Sequence, residues 1–305
     1  MDLQQELSLF LQGKHRRRAS TMETYQAILG QFVSSVHDRN IVVAVSDFLN
    51  SKELKPATYN LYLSAITSFL FERRLILRED RDELYRGRVS ISQPAYSEHA
   101  LSPTDVLRFF TFLQQENART NPLRQQRDLC IFALQYACAM RISEVLTLSP
   151  EDMVDTETSI MVTVRAIHSK TGVERTLPLP HRFRIGEINV AAELKAWKYL
   201  RGLIVDHVHT SLVFFTVRKN SFGKAIAVRR MIQKYNTIKR RLRIESGRST
   251  HALRHTRITE LARNPGIPIA VISEFAGHHS KGQPNIRTTS FYVQRACADE
   301  IEKFL

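Results

Sequence analysis

The sequence predicts a mainly α-helical protein with a small antiparallel β-sheet in its C-terminal part. The chain has 305 residues, and chains of this length usually divide into more than one domain, each with its own hydrophobic core. Apolar residues recur with the spacing of helices over most of the chain. Between residues 159 and 180 that spacing changes to the alternation of strands. These three observations predict an all-helical N-terminal domain followed by a mixed C-terminal domain.

The N-terminal domain is predicted to cover residues 1–86. Helical spacing is clear in three stretches, residues 2–12, 20–37 and 56–76. Ser20 or Thr21 is a suitable cap for the second helix, and Pro56 suits the first turn of the third. Residues 87–100 lose this spacing and contain Gly, Ser and Pro, so they are predicted to be a linker.

The C-terminal domain is predicted to cover residues 101–305 and to contain a β-hairpin among its helices. The strands are "SIMVTVRAI" (159–167) and "ERTLPLP" (174–180), with the turn near Lys170–Gly172. The short apolar piece "LVFFT" (212–216) also resembles a strand. Helices are predicted over residues 102–117, 122–139, 140–148 and 189–203, and again from about residue 226.

The balance of charge points to a polyanionic partner. The formal net charge is +14 and the pI is near 10, so nucleic acid is favoured. An anionic membrane surface is the weaker alternative, because the sequence has no clear basic helix with a free apolar face. No apolar run approaches the length of a membrane span. The first residues place charge after a short apolar patch, the reverse of a secretory signal, so a cytoplasmic protein is expected.

The three cysteines give little indication of a metal site or a disulfide framework. Cys130, Cys138 and Cys297 are widely spaced and odd in number. They form no zinc pattern and are typical of a reducing compartment.

One segment concentrates positive charge without balancing acids. Between residues 229 and 243 the basic residues are Arg229, Arg230, Lys234, Lys239, Arg240, Arg241 and Arg243. A solvated helix face is the ordinary explanation, but the absence of acids favours a surface that contacts phosphates. "KHRRR" (14–18) is either a similar surface or a flexible basic loop.

The stretch "STHALRHTRITELARN" is dense in hydrogen-bond donors. His251 and His255 are four residues apart, a spacing that suits a metal. Position 252, where the common zinc motif has Glu, is Ala, and Arg254 would repel a cation, so no metal is predicted. An arginine and histidine face suits a phosphate instead, because guanidinium matches two phosphate oxygens.

Arg141 is the candidate for a second phosphate-binding arginine. It follows an apolar helix in "YACAMRISEVL", where an unpaired charge would be costly to bury. Glu144 is placed to hold its side chain, and a purely structural pair is equally compatible with the local sequence.

Five segments, in this order, resemble the motifs of the tyrosine recombinase (phage integrase) family. They are "ACAMRISEVLTLSPED", "HSKTGVERTLPLP", "HALRHTRITELA", "FAGHHS" and "TTSFYV". The resemblance covers residues 101–305. Two N-terminal segments, "STMETYQAILGQFV" and "KPATYNLYLSAITSFLFERRLI", are similar to the helical core-binding domain of that family, with lower specificity.

The resemblance implies a DNA strand-exchange enzyme that needs no metal or nucleotide cofactor. Tyr292 would attack a DNA phosphate, forming a covalent 3′-phosphotyrosine and freeing a 5′-hydroxyl. Arg141 and Arg254 would hold the non-bridging oxygens, and Lys170 would protonate the leaving 5′-oxygen. Without the resemblance, Lys170 is an ordinary turn lysine and Tyr292 an ordinary buried aromatic residue. Tyr235 is a rival nucleophile outside the family motifs.

The resemblance also gives roles to two histidines. His251 would contact the phosphate and assist proton movement at the Tyr292 oxygen. His278 would donate a further hydrogen bond to the phosphate, with His279 as the alternative. The segment 279–287 is longer than in many family members and is predicted to be a loop that orders on DNA or on a partner subunit.

The expected assembly is a homotetramer that brings two duplex DNA sites together. The tail 293–305 is predicted to pack into a neighbouring subunit through Ile301, Phe304 and Leu305. Accessory DNA-bending or directionality proteins are further possible partners. The alternatives are a type IB topoisomerase-like enzyme with the same chemistry and a catalytically silent DNA-binding regulator.

Overall fold

The computed structural model describes residues 2–13, 19–36, 40–90, 100–115, 121–205, 210–280 and 282–293. The chain divides into two compact units, residues 1–93 and 94–305. The predicted fold class is confirmed: the described residues are mainly helical, and the strands form small antiparallel sheets. The basic segment 14–18, most of the predicted linker and the tail from residue 294 lie outside the described residues.

The N-terminal unit consists of helices. They are α1 (Leu3–Gln12), α2 (Ala19–Ser35), α3 (Ile41–Asn50), α4 (Pro56–Glu72) and α5 (Arg78–Arg86). The three predicted helices are α1, α2 and α4, and Pro56 occupies the first turn of α4 as expected. The predicted capping by Ser20 or Thr21 is wrong, because α2 begins at Ala19, itself a strong helix former. Helices α3 and α5 were not predicted.

Aromatic side chains hold the N-terminal helices together. Phe10 of α1 meets Phe69 of α4 edge to face, with 5.4 Å between the ring centroids. Phe32 of α2 meets Phe48 of α3 in the same way at 5.5 Å. Each such pair contributes about 0.5–1.5 kcal/mol beyond the burial of its area. All five helices contribute to one core, α5 through Leu84.

The C-terminal unit has a longer series of helices. They are α6 (Pro103–Gln115), α7 (Pro122–Ala137), α8 (Ile142–Leu146), α9 (Val190–Val205), α10 (Val228–Arg241), α11 (His251–Ala262) and α12 (Ile269–Ala276). Residues 286–293 form a further helix, named here the tyrosine helix. Helix α7 lies at the centre of the unit, since almost every residue after its first turn is buried.

The main sheet is antiparallel in the order β1 (Met153–Asp155), β2 (Ser159–Val164) and β3 (Arg175–Pro180). The predicted hairpin is β2 and β3, joined in the register Val164 to Arg175, and β1 is an addition that was not predicted. Alternate residues of β3 are buried, so Arg175 points to the same side as the core residues Leu177 and Leu179.

Two local predictions are wrong. "LVFFT" makes only one isolated bridge, Phe215 to Ala225, because Phe214 and Phe215 are both buried in the core rather than on a sheet. The predicted loop at 279–287 instead contains a hairpin of β6 (His279–Ser280) and β7 (Gln283–Pro284), followed by the start of the tyrosine helix. Gly282 has φ +79°, which permits the tight turn between these strands.

The remaining short pair is β4 (Arg184–Ile185) with β5 (Ile188–Asn189), which leads directly into α9. Within the part of the chain that the structure describes, no helix has the length and apolar character needed to cross a membrane.

Candidate active site

Tyr292 lies between two histidine rings. Its side chain is on the tyrosine helix and the residue is only 3% exposed. The His255 ring is stacked at 5.5 Å and 22°, and the His278 ring at 5.8 Å and 23°. The Tyr292 hydroxyl is hydrogen-bonded to His255 Nδ1 at 2.6 Å. The phenol is therefore held in a defined position by three contacts.

The rival nucleophile, Tyr235, belongs to the hydrophobic core. It is fully buried on α10 beside Phe109 and Phe132, and its hydroxyl donates to the carbonyl of Gly247. Burial raises the pKa of its hydroxyl well above the usual range. Both features make Tyr235 a structural residue.

Arg254 is anchored at the ends of two other helices. It lies on α11, and its Nη1 and Nη2 atoms donate to the carbonyl oxygens of Ala139 and Ala276. Ala139 follows the last turn of α7 with φ +47°, and Ala276 ends α12. Terminal carbonyls of helices lack partners within the helix and carry partial negative charge, so they suit a buried cation.

The surroundings of Arg254 are strongly positive. Burial, followed by the nearby charge of Arg141, lowers the pKa of Arg254 to about 9. The charge of Tyr292 acts in the opposite direction and raises it, which places the phenol within electrostatic range of the guanidinium. A guanidinium in this position still carries its charge at neutral pH.

Glu144 joins two arginines in a buried cluster. It is 1% exposed and accepts hydrogen bonds from Arg141 Nη1 at 2.9 Å and from Arg175 Nη2 at 2.7 Å. It also accepts a hydrogen bond from the backbone N–H of Arg141 at the start of α8. Burial raises the pKa of Glu144, but the charges and hydrogen bonds of Arg175 and Arg141 lower it below its usual value.

Lys170 and His251 are both exposed. Lys170 is exposed in the connection between β2 and β3, and His251 is the first residue of α11. Removal of water, followed by the charges of Arg254, Arg141 and Lys170, lowers the pKa of His251. The hairpin lysine is therefore close enough to act electrostatically on the start of α11.

The two neighbouring histidines have different surroundings. His278 is buried, stacks on Tyr292, and shares a hydrogen bond of 3.0 Å between Nδ1 and the Thr289 hydroxyl. Burial, and then the charges of Arg254 and Arg141, lower the pKa of His278 to about 3, so the ring is neutral. His279 instead contacts Glu274 through Nε2 at 2.8 Å.

A basic pocket of about 510 Å³ lies on α10. Its cationic lining residues are Arg124, Arg218, Arg229, Arg230, Lys234 and Arg241, and none of the described residues that line it is acidic. Arg229 and Arg230 are exposed. Lys239 has a different environment, because its Nζ donates to the carbonyl oxygens of Glu245, Ser246 and Gly247.

Three residues that contact Tyr292 or its neighbours were not singled out by the sequence as parts of the site: Arg175, His255 and Thr289. Arg175 had a detectable signal, since it stands in the alternating register with Leu177 and Leu179 of a predicted strand. His255 stood in the donor-rich stretch 249–264, but nothing in the sequence paired it with Tyr292, which is 37 positions away. Thr289 had no signal, because its partner His278 is 11 positions away. Within the described ranges, no group of three His, Cys, Asp or Glu residues is arranged to hold a metal ion.

Comparison with known proteins shows the family to which the chain belongs. Residues 100–298 match the model of the phage integrase family. Transposase A from transposon Tn554 of Staphylococcus aureus is 23% identical over 278 residues, which cover 86% of this chain and 73% of the transposase.

Two solved structures share the fold. The XerH site-specific recombinase bound to palindromic difH substrate, in a post-cleavage complex, has a TM-score of 0.70 at 18% identity, covering 92% of this chain and 78% of that one. A lambda integrase tetramer bound to a Holliday junction has a TM-score of 0.68 at 14% identity, covering 95% and 75%.

The fold and the family match define a DNA strand-exchange enzyme. The chain belongs to the phage integrase family, the tyrosine recombinases. Enzymes of this family break and rejoin DNA through a covalent link to tyrosine, so the predicted family and class of enzyme are confirmed.

Proposed function

We propose that Tyr292 is the nucleophile of this recombinase and that the surrounding cations stabilise the phosphate under attack. The observation that carries the proposal is the position of the Tyr292 hydroxyl, which lies between His255 and His278 and within electrostatic range of Arg254. A phenol has a reference pKa near 10 and is a weak nucleophile, and nearby positive charge favours its ionised form.

In the proposed cleavage step, the phosphoryl group of one phosphodiester is transferred from the 5′-oxygen of DNA to Tyr292. The Tyr292 oxygen forms a bond to phosphorus as the bond from phosphorus to the 5′-oxygen breaks. Arg141 and Arg254 stabilise the negative charge on the non-bridging oxygens, a contribution of about 10²–10³ in rate for each such donor. Lys170 supplies the proton to the leaving 5′-oxygen. The reverse step joins a 5′-hydroxyl from another strand.

The histidines have separate roles in this proposal. His251, at the exposed start of α11, contacts the phosphate. His278 is the one that fits the motif, because it stacks on Tyr292 while His279 pairs with Glu274. A neutral His278 serves as a hydrogen-bond donor through whichever nitrogen carries the proton.

We assign duplex DNA to the basic pocket on α10. Exposed arginines there would neutralise phosphates and release counterions. Lys239 is an exception among the predicted DNA contacts, because three carbonyl oxygens already surround its ammonium group.

Residues 1–86 would form the second DNA-binding domain, and the acting form would be a tetramer on two sites. The similar lambda integrase structure, a tetramer bound to a Holliday junction, supports the tetramer. The tail 293–305 would connect neighbouring subunits, and accessory proteins would set direction. A cytoplasmic location is also part of this proposal.

A nicked suicide substrate tests the proposed nucleophile. Cleavage next to the nick releases a short fragment, so the enzyme remains attached to DNA and migrates as a larger species in a denaturing gel. Wild type should form this species without added metal, and Tyr292→Phe should not. An unchanged yield from Tyr292→Phe would contradict the proposal. Failure of wild type to form any adduct would favour the silent regulator, and relaxation of supercoils without a defined site would favour the topoisomerase-like alternative.

A further inference from the structure

We infer that His255 is the general base that accepts the phenolic proton of Tyr292 during DNA cleavage. The inference rests on the proposed nucleophilic role of Tyr292 and deepens it. The resemblance to the family gives the proton-transfer role at this oxygen to His251, whereas the structure places His255 directly on the hydroxyl.

The contact has the geometry of a proton transfer. The distance between Tyr292 Oη and His255 Nδ1 is 2.6 Å, within the range needed for a base and the proton that it removes. Nδ1 accepts this proton when the neutral ring carries its hydrogen on Nε2. The near-parallel stacking of the two rings, at 22°, fixes the direction of Nδ1.

The position of His255 on α11 explains why it differs from His251. One helical turn separates the two residues, and their ring centroids are 6.4 Å apart. His251 is at the exposed first residue of the helix, whereas His255 is half-buried against Tyr292. Arg254 lies between them in sequence, but its side chain donates hydrogen bonds to the carbonyl oxygens of Ala139 and Ala276, at the ends of two other helices. One helix thus supplies a phosphate contact, an anchored cation and a base.

The bond from Oη to phosphorus forms while the proton moves from Oη to His255 Nδ1, and the imidazole becomes imidazolium. The bond from phosphorus to O5′ breaks, and Lys170 gives a proton to O5′. In rejoining, imidazolium returns its proton to the departing Tyr292 oxygen, and neutral Lys170 accepts the proton of the attacking 5′-hydroxyl.

The test compares single-turnover adduct formation on the nicked substrate for two variants of His255. His255→Asn keeps an acceptor near the position of Nδ1 but cannot take a proton, so its rate should fall about 10²–10⁴-fold. His255→Ala leaves space for a small base, and added imidazole should raise its rate at least ~10-fold from a similarly low value. The fluorescence of Trp197 and the affinity for DNA confirm that each variant is folded and binds.

His251→Ala is the matched control on the same helix. Its rate should fall, and imidazole should not restore it. Rescue of His251→Ala together with failure to rescue His255→Ala would assign the base to His251 and overturn the inference. A rate for His255→Asn equal to or above wild type would show that the contact only holds Tyr292 at rest, which also overturns it.

These outcomes separate the inference from the proposed function. If wild type forms the Tyr292 adduct and the His255 variants cleave normally, only the role of His255 fails. If wild type forms no adduct at Tyr292, the proposed nucleophile and the base fail together.

Discussion

The guanidinium of Arg175 lies against Gly277, so that a Cβ atom built on Gly277 would stand 2.7 Å from Cζ of Arg175. Gly277 also has φ +64°, a left-handed conformation that disfavours side chains. This contact joins strand β3 to the residue immediately before His278. It therefore links the buried Glu144 cluster to the segment that carries His278, whose ring stacks on Tyr292.

Gly277→Ala should damage both stability and cleavage. The backbone conformation alone costs about 1–2 kcal/mol, and the methyl group would displace Arg175 from Glu144. We expect a loss of unfolding free energy above that value, measured by urea unfolding, together with slower adduct formation. Gly282→Ala is the control, since Gly282 has φ +79° but no atom within 4 Å of the added Cβ. Equal losses in the two variants would show that the Arg175 contact is unimportant.

Glu144→Gln should strongly destabilise the C-terminal unit. It leaves Arg141 and Arg175 without the buried carboxylate that neutralises them, a change that costs about 3–5 kcal/mol. Trp197, the only tryptophan, is buried in this unit, and its fluorescence follows unfolding. The control Glu151→Gln changes an exposed carboxylate and should leave the stability close to that of wild type. A stability for Glu144→Gln equal to that of Glu151→Gln would contradict this role.

The loss of stability in Glu144→Gln should depend on pH in a defined direction. The folded pKa of Glu144 is lowered, so its ionised form stabilises the fold above the unfolded value, near 4.3. This contribution is lost as the pH falls through the lower folded pKa. The difference in unfolding free energy between wild type and Glu144→Gln should therefore be constant at pH 6–8 and shrink in acid. A difference that grows on acidification would have the wrong sign.

Thr289→Val should impair cleavage without removing a residue that touches the phosphate in the proposed mechanism. The hydroxyl of Thr289 is the partner of His278 Nδ1, and valine keeps the shape but leaves that nitrogen unpaired. An unsatisfied buried polar group costs about 1–3 kcal/mol, so we expect roughly a 5- to 150-fold lower cleavage rate. Thr289→Ser should retain most of the activity. A Thr289→Val enzyme as fast as Thr289→Ser would show that the hydrogen bond does not position His278.

Replacing Arg230 by Gln should weaken DNA binding in a salt-dependent way. If Arg230 neutralises one phosphate, the slope of log K against log salt should become less steep by about 0.9. Fluorescence anisotropy at several salt concentrations measures this slope. Lys239→Gln is the comparison on the same helix, and we expect it to lower stability while leaving the slope unchanged. The opposite pattern would exchange the roles of the two residues.

The sequence predicted helices and strands correctly where residues close together in the chain determine them. Alternation in "ERTLPLP" correctly predicted β3, and a proline at the first turn correctly predicted the start of α4. Helix α5 was not predicted because it is very polar. Leu84 is its one buried residue, so the sequence shows almost no periodic pattern of apolar residues there. Phe214 and Phe215 gave the opposite error, since a buried apolar run need not be a strand.

For the candidate site, the sequence predicted the types of residue and their order along the chain, but not their contacts. Arg141, Glu144 and Arg254 stand in local patterns that suggest paired charges or phosphate binding. The pairing of His255 with Tyr292 depends on how α11 packs against the tyrosine helix, and no local pattern determines that contact. The same holds for Arg175, whose contacts with Glu144 and Gly277 join β3 to α8 and to the end of α12.

The most direct test of the central claim is to identify the amino acid that is joined to DNA. The adduct formed on a nicked substrate is digested with protease and nuclease, and the peptide that carries the nucleotide is sequenced by mass spectrometry. We expect the DNA to be joined through its 3′-phosphate as an ester of Tyr292. A nucleotide attached to another residue such as Tyr235, or attached through a 5′-phosphate, would contradict it.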